Sequence, residues 1–192
     1  MTTEKLFSLL SSIHPISADF KKAIEKSLTP LSLPKYHLLL EATKIAECAY
    51  FLEEGFAMSY TFVNGKKQVD WFWRAGQIMV PARSFFEQVP SQEFIQLRAP
   101  SEMYCITHAS VLHLFQTYAE AHFIYRVVMN HYYEQSRERT RDLQHLTAME
   151  RYEKLIHHFP DIEQHLTQHH IASYLGIAPQ SFSRMKRRKS GS

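Results

Sequence analysis

The hydrophobic period of this 192-residue chain changes twice, near Pro30 and near Thr107, which confines the fold to a β core carried between helical ends. Ahead of Pro30, Leu6, Leu9, Leu10 and Ile13 recur at three and four. Pro15 interrupts, and Phe20, Ile24 and Leu28 resume the stripe, so two short helices are predicted. Between Pro30 and Thr107, short apolar and aromatic runs are separated by Gly, Pro or Asn, as the strands of an antiparallel sandwich or barrel require. Asn64-Gly65 between two such runs is a hairpin signal, because a type I′ turn needs positive φ at two successive residues.

After Thr107 the helical period holds until about Phe159. Ala121, Tyr125, Val128, Tyr132 and Gln135 step by four, three, four and three, while Phe123 and Val127 form a second stripe. One stripe suits the β core and the other a partner, so a homodimer through Ala121, Tyr125, Val128 and Tyr132 is expected; a helix buried on both sides within one chain is the alternative. Past Gln135 the run is charged and solvated toward a hinge, and a last helix from about Ala148 closes on Pro160-Asp161.

Residues 166–189 read as two short helices around Gly176, a helix-turn-helix pattern. Gly176 stands where the first helix must stop with positive φ, and Pro179 fits the first turn of the next, where its missing N–H costs nothing. Phe182 and Met185, three apart, face inward and leave Gln180, Ser181, Ser183, Arg184 and Arg187 outward. Arg184, Lys186, Arg187, Arg188 and Lys189 put five charges into six positions, and no acidic residue follows Glu163. Without those five, the chain's net +3 becomes 17 basic against 19 acidic residues, a net −2 over positions 1–183. The basic character is therefore local, as counterion release from double-stranded DNA would use it, although an amphipathic hairpin with a solvated basic end shares the pattern.

Other classes find less support. No apolar run approaches the roughly 18–20 residues of a membrane helix, and no signal-peptide pattern opens the chain, so a soluble cytoplasmic protein with no membrane partner is expected. Cys48 and Cys105 are far apart in sequence and read as reduced core thiols rather than a metal pair. No nucleophile motif, Gly-rich phosphate loop or barrel metal motif argues for an enzyme, and the His157-His158 and His165/His169-His170 histidines lack the further ligands a metal needs.

Helical prelude, small β-barrel, long helix, helix-turn-helix: the chain resembles the catabolite-activator or Crp/Fnr superfamily of bacterial transcription regulators over nearly its whole length. The carriers are Ile171–Arg187, the helix at Glu150–Pro160 and the turn at Trp73–Gln77. The resemblance implies an α+β fold: an N-terminal cyclic-nucleotide-binding-like β-barrel (jelly roll) with its helices over 1–108, a long dimerisation helix and hinge over 109–143, and a helix-turn-helix domain over 144–192. It implies Gln180 and Arg184 as base readers and Ser181 as a phosphate contact, with RNA polymerase as a further partner. Thr167 and Gln168 at the start of the first helix suit a backbone phosphate. Ser183 lies on the outward face, and Lys186, Arg187 and Arg188 read as nonspecific clamps.

The family's nucleotide cassette, a Gly-Glu pair followed about ten residues later by Arg-x-Ala, departs here to Gly76-Gln77 and to Ser91, Gln92 and Glu93. A carboxylate there would repel a phosphate. Cyclic AMP is therefore not the expected effector; no cofactor is expected, and Gly76, Gln77, Arg83 and Ser84 are the candidates for some other small molecule, with Arg98 a further source of charge. Family members continue past the recognition helix into a wing, whereas this sequence ends at Ser192, so a minimal domain is expected. A small-molecule-binding module acting on a protein partner rather than DNA is the alternative function.

Overall fold

The computed structural model describes residues 2–190, with side chains as far as Arg188, so Lys189's side chain and the end of the expected 144–192 domain lie outside the described residues. In order the elements are α1 (Glu4–Ile13), α2 (Ala18–Ser27), β1 (Leu28–Leu33), β2 (Leu38–Leu40), β3 (Cys48–Glu54), β4 (Phe56–Val63), β5 (Lys66–Arg74), β6 (Gln77–Met79) and α3 (Ala82–Glu87). They continue through β7 (Phe94–Leu97), β8 (Ser101–Thr107), α4 (His108–Thr117), α5 (Ala119–His145), α6 (Ala148–His158), α7 (Ile162–His165), α8 (Gln168–Tyr174) and α9 (Pro179–Ser190). The strands form two four-stranded sheets, β1-β8-β3-β6 and β2-β7-β4-β5, an antiparallel sandwich as the strand spacing predicts. Asn64 and Gly65 both have positive φ, 51° and 72°, as the hairpin between β4 and β5 requires.

The chain packs as two compact units, Met1–Met58 with Phe72–His131, and Ser59–Trp71 with Tyr132–Ser192. In the first, strand alternation sorts side chains onto two faces. Tyr50 is opposite Met79 and Cys105, and Leu52 is opposite Met103, so these share one face of the first sheet. Leu52, Met79 and Met103 there are wholly buried, as are Ile95 and Leu97 of the second sheet. Phe51 is opposite Ile78 and Tyr104, on the other face, where Leu6, Leu10, Phe20, Ile24, Leu114 and Ala121 of the helices close over them. Ser17 caps α2 through a hydrogen bond from the Phe20 amide, and Thr107 caps α4. The two cysteines, distant in sequence, become diagonal neighbours on β3 and β8; both thiols are free, and burial first, then the Cys105 thiol, pushes Cys48 up to about 12.

The helix expected over 109–143 is divided. Tyr118 takes an extended conformation, with φ −128° and ψ 119°, between α4 and α5. The break sends its ring to Phe20, 5.2 Å between centroids, so tertiary packing overrides the continuous helical period. α5 then runs 27 residues, to His145. Of the expected dimer seam, Ala121 is taken into the core of its own chain, Tyr125 remains 37% exposed, and Val128 and Tyr132 are half-buried.

The second unit is built on a capping box that opens α6: the Glu150 amide donates to Thr147 Oγ1 at 3.3 Å, and the Thr147 amide donates to Glu150 Oε2 at 2.7 Å. Tyr152, Leu155, Ile162, Leu166, Ile171, Ala172, Leu175 and Phe182 form its core. Arg151 donates to the carbonyls of Leu146 and Leu175. Arg139 of α5 donates to the Tyr174 carbonyl at 3.0 Å while its guanidinium lies 3.8 Å from the Tyr174 ring. Lys154 bridges Glu138 and Asp142, at 2.6 Å each. The far end of the β4–β5 hairpin belongs to this unit, a pairing the sequence pattern did not suggest. The Val69 amide donates to Ser173 Oγ at 2.9 Å, that hydroxyl donates to the Lys67 carbonyl at 3.2 Å, and Gln68 donates to the Ser173 carbonyl at 3.2 Å.

Candidate nucleic-acid interface

α8 begins at Thr167, whose hydroxyl is directed back to His170, 3.4 Å from its amide and 3.1 Å from its ring nitrogen. It ends at Gly176, where φ is +69° and a Cβ would stand 3.2 Å from Leu143 Cδ2, so both conformation and space favour glycine. The Ile177 amide donates to the Ala172 carbonyl at 3.0 Å and closes the turn. α9 starts at Pro179, with Ser181 and Phe182 donating back to the Ala178 carbonyl. Phe182 is fully buried and meets the Tyr152 ring edge-on at 5.2 Å, while Met185 is half-buried. That anchor fixes which face of α9 looks outward.

An open groove on that outward face is lined by Gln168, His169, Pro179, Gln180, Ser183, Arg184 and Arg187. Five of the nine sequence-predicted residues thus converge. Among the described residues, the side chains of Gln168, Gln180, Ser183, Arg184 and Arg187 engage no other side chain by hydrogen bond or ion pair. Ser181 is half-buried and Arg188 exposed, both outside the groove lining. His169, one step beyond Gln168 at the head of α8, also lines the groove, although the sequence singles it out only as one of the histidines without further metal ligands.

Lys186, unlike Arg184 and Arg187, is held by an ion pair. Its ammonium lies 2.6 Å and 2.7 Å from the two oxygens of Glu163, to which the Tyr152 hydroxyl also donates. Burial works to raise the Glu163 carboxyl, but these hydrogen bonds outweigh it and hold the group below the usual carboxylate range. To grip a phosphate, Lys186 would have to exchange one anion for another.

The four effector candidates are not assembled in the same way. Gly76, at φ +85°, donates to the Leu52 carbonyl at 2.7 Å and ties the β5–β6 turn to β3, while Gln77 Oε1 accepts from the Arg74 amide at 3.0 Å and closes that turn. Arg83 is exposed beside Glu87 at 3.5 Å. Ser84 is buried, accepting from the Ala46 amide at 2.9 Å and donating to the Val89 carbonyl at 2.7 Å. Ser91 Oγ accepts from the Glu93 amide, and Arg98 is buried over the Tyr36 ring. Among the described residues no group of three or more His, Cys, Asp or Glu is placed to hold a metal ion, and no helix is long and apolar enough to cross a membrane.

A β-sandwich, a long helix and a terminal pair of helices about a glycine turn are parts that this chain shares with solved structures of low sequence identity. Solved structures with this fold include a chain of Eubacterium rectale described as a Crp/Fnr-family regulator, at 13% identity over 90% of this chain and 83% of that one, with a TM-score of 0.74. FixK2 of Bradyrhizobium japonicum aligns at 16% identity over 85% and 86%, with a TM-score of 0.73. The c-di-GMP-responsive global regulator CLP of Xanthomonas campestris aligns at 14% over 91% and 92%, with a TM-score of 0.71. No family model matches the chain, and no curated protein does. At such identities the likeness is one of fold.

Proposed function

We propose that this protein is a sequence-specific DNA-binding transcription regulator of the Crp/Fnr type, reading a pseudo-palindromic operator as a homodimer. The observation that carries the reading is the groove on α8 and α9, where Gln180 and Arg184 stand four apart on an exposed face, flanked by Gln168, Ser183 and Arg187. Gln can pair bidentately with adenine and Arg with guanine, whereas a merely solvated helix end has no need to align them. In this reading Ser181, Arg187 and Arg188 hold phosphates, Lys186 does so once released from Glu163, and Thr167 positions α8 through its cap. Residues 144–192 form the DNA-binding part. Tyr125, Val128 and Tyr132 on α5 supply the dimer contact, setting half-sites about 10–10.5 bp apart.

Titration of a fluorescent duplex at two salt concentrations tests this. Neutralising roughly three to four phosphates per protomer predicts a slope of log affinity against log salt of about −5 to −7 for the dimer. A slope near zero, or binding only to a protein partner, would reject DNA reading in favour of a module that acts on protein.

A further inference from the structure

On the helix-covered face of the β1-β8-β3-β6 sheet the packing leaves an apolar cleft of about 170 Å³. Phe51, Ile78, Tyr104 and Ile106 form its floor, Leu10 and Ile24 stand on one side, and α4 and the first turns of α5 on another. Strand register fixes which side of the sheet this is. Phe51, Ile78 and Tyr104 share a face, and that face is opposite to the one carrying Leu52, Met79 and Met103 inside the sandwich. The cleft is therefore separate from the space between the sheets.

None of the described residues lining it carries a formal charge. A phosphate placed there would lose its hydration with nothing to replace it, which excludes nucleotides. An uncharged apolar molecule loses nothing by entering, and cavities of about 150 Å³ lined by Leu, Ile and Phe stay dry and take up benzene or xenon. At one side Tyr125 lies edge-on to Phe86 and Phe115, with centroids 4.8 Å and 5.5 Å away, an array that a further ring would extend. Nine elements of the same chain, α1, α2, β1, β3, β6, α3, β8, α4 and α5, contribute to its lining, which suits a small molecule better than a second copy's helix.

We propose that this cleft is a binding site for a small uncharged apolar molecule, preferentially one carrying a single aromatic ring. Its α5 wall includes Ala121, Ile124 and Val128, so occupancy touches the helix assigned to the dimer. Coupling to DNA rests on the regulator reading; binding does not.

The test is a titration of the full chain with toluene, followed by methyl NMR and by the melting temperature, with cyclic AMP as the charged comparison. Saturable shifts at Ile24, Ile78, Leu114 and Met129, a rise in melting temperature, and no response to cyclic AMP are expected. Ile124→Trp should fill the cleft and weaken toluene binding at least tenfold, and Ile78→Phe provides a second filling variant; if neither folds, the wild-type titration decides alone. Absence of saturable shifts in folded protein, toluene binding only after dilution has dissociated a dimer, or binding undiminished in both folded variants would each overturn the assignment. DNA affinity is measured on the same samples: lost DNA binding with intact toluene binding rejects the regulator reading only, and the converse rejects the cleft only.

Discussion

Ser84 and Gln180 each lie in the first turn of a helix that opens on or just after a proline, yet their surroundings are opposite. The Ser84 hydroxyl ties the Ala46 amide to the Val89 carbonyl and is 4% exposed. Gln180 stands exposed in a groove with other side chains that have no polar side-chain partner among the described residues. The same contrast holds across the two candidate regions. Around positions 76–84, polar groups satisfy the turns and ends of the chain's own backbone, as buried polar atoms must. At Gln168, Gln180, Ser183, Arg184 and Arg187, the side-chain hydrogen-bonding capacity remains available to a partner. A polar motif in sequence thus marks a site only where folding leaves it unsatisfied.

Mutations can break that contrast. Phe182→Ala should have the largest effect, destabilising the second unit by about 3–5 kcal/mol and abolishing any groove, because it removes a wholly buried ring. Urea unfolding with hydrogen exchange over α6–α9 measures it; an unchanged midpoint would mean that the anchor has been misassigned. Arg184→Ala should leave stability within about 0.5 kcal/mol, yet remove ~1–3 kcal/mol of discrimination at one base pair in each half-site of a selected operator. Equal affinity for operator and single-base variants before and after the change would place base reading elsewhere. Ser84→Ala should do the reverse: it costs ~1–3 kcal/mol of stability by orphaning the Ala46 amide, with operator discrimination intact. A silent Ser84→Ala in thermal unfolding would return the 76–84 region to consideration as an effector site.

The smallest effect is one of pH. Glu138 is held low by its hydrogen bond to Lys154, and Glu163 is held low by Lys186 and Tyr152 against the opposing effect of burial. A carboxyl depressed in the folded state stabilises above its unfolded pKa of about 4.3, and that contribution is lost as pH falls through the folded value. Both carboxylates are partly exposed, so each contributes under ~1 kcal/mol. The urea midpoint of the second unit should fall modestly below pH 4, and Glu163→Gln should flatten part of that fall. Glu163→Gln should also tighten binding to mixed-sequence duplex, since it removes the carboxylate that competes with phosphate for Lys186; weaker binding would mean that Lys186 does not grip phosphate.

Much of the fold was legible because it depends on local signals. Asn64-Gly65 specifies its own turn, Gly176 and Pro179 delimit two helices, and the period change at Thr107 is visible without tertiary information. The break at Tyr118 was not legible, because it answers to Phe20, nearly a hundred positions earlier. Nor was the ion pair of Lys186, since a lysine in a basic run looks identical whether or not a distant glutamate holds it. Gln180, Ser183, Arg184 and Arg187 of the groove were readable from outward-facing spacing, whereas Ser84 and Gln77 gave no sign in sequence that backbone groups would engage them.

The hydroxyl of Ser173 has one more consequence. β5 is the outermost strand of its sheet, and an uncovered outermost strand offers its amides and carbonyls to any other extended chain. By meeting the Val69 amide and the Lys67 carbonyl, Ser173 makes α8 a blunting device for that border. Whatever loosens α8 then exposes a template for intermolecular strand pairing, so aggregation becomes the failure mode that accompanies loss of α8.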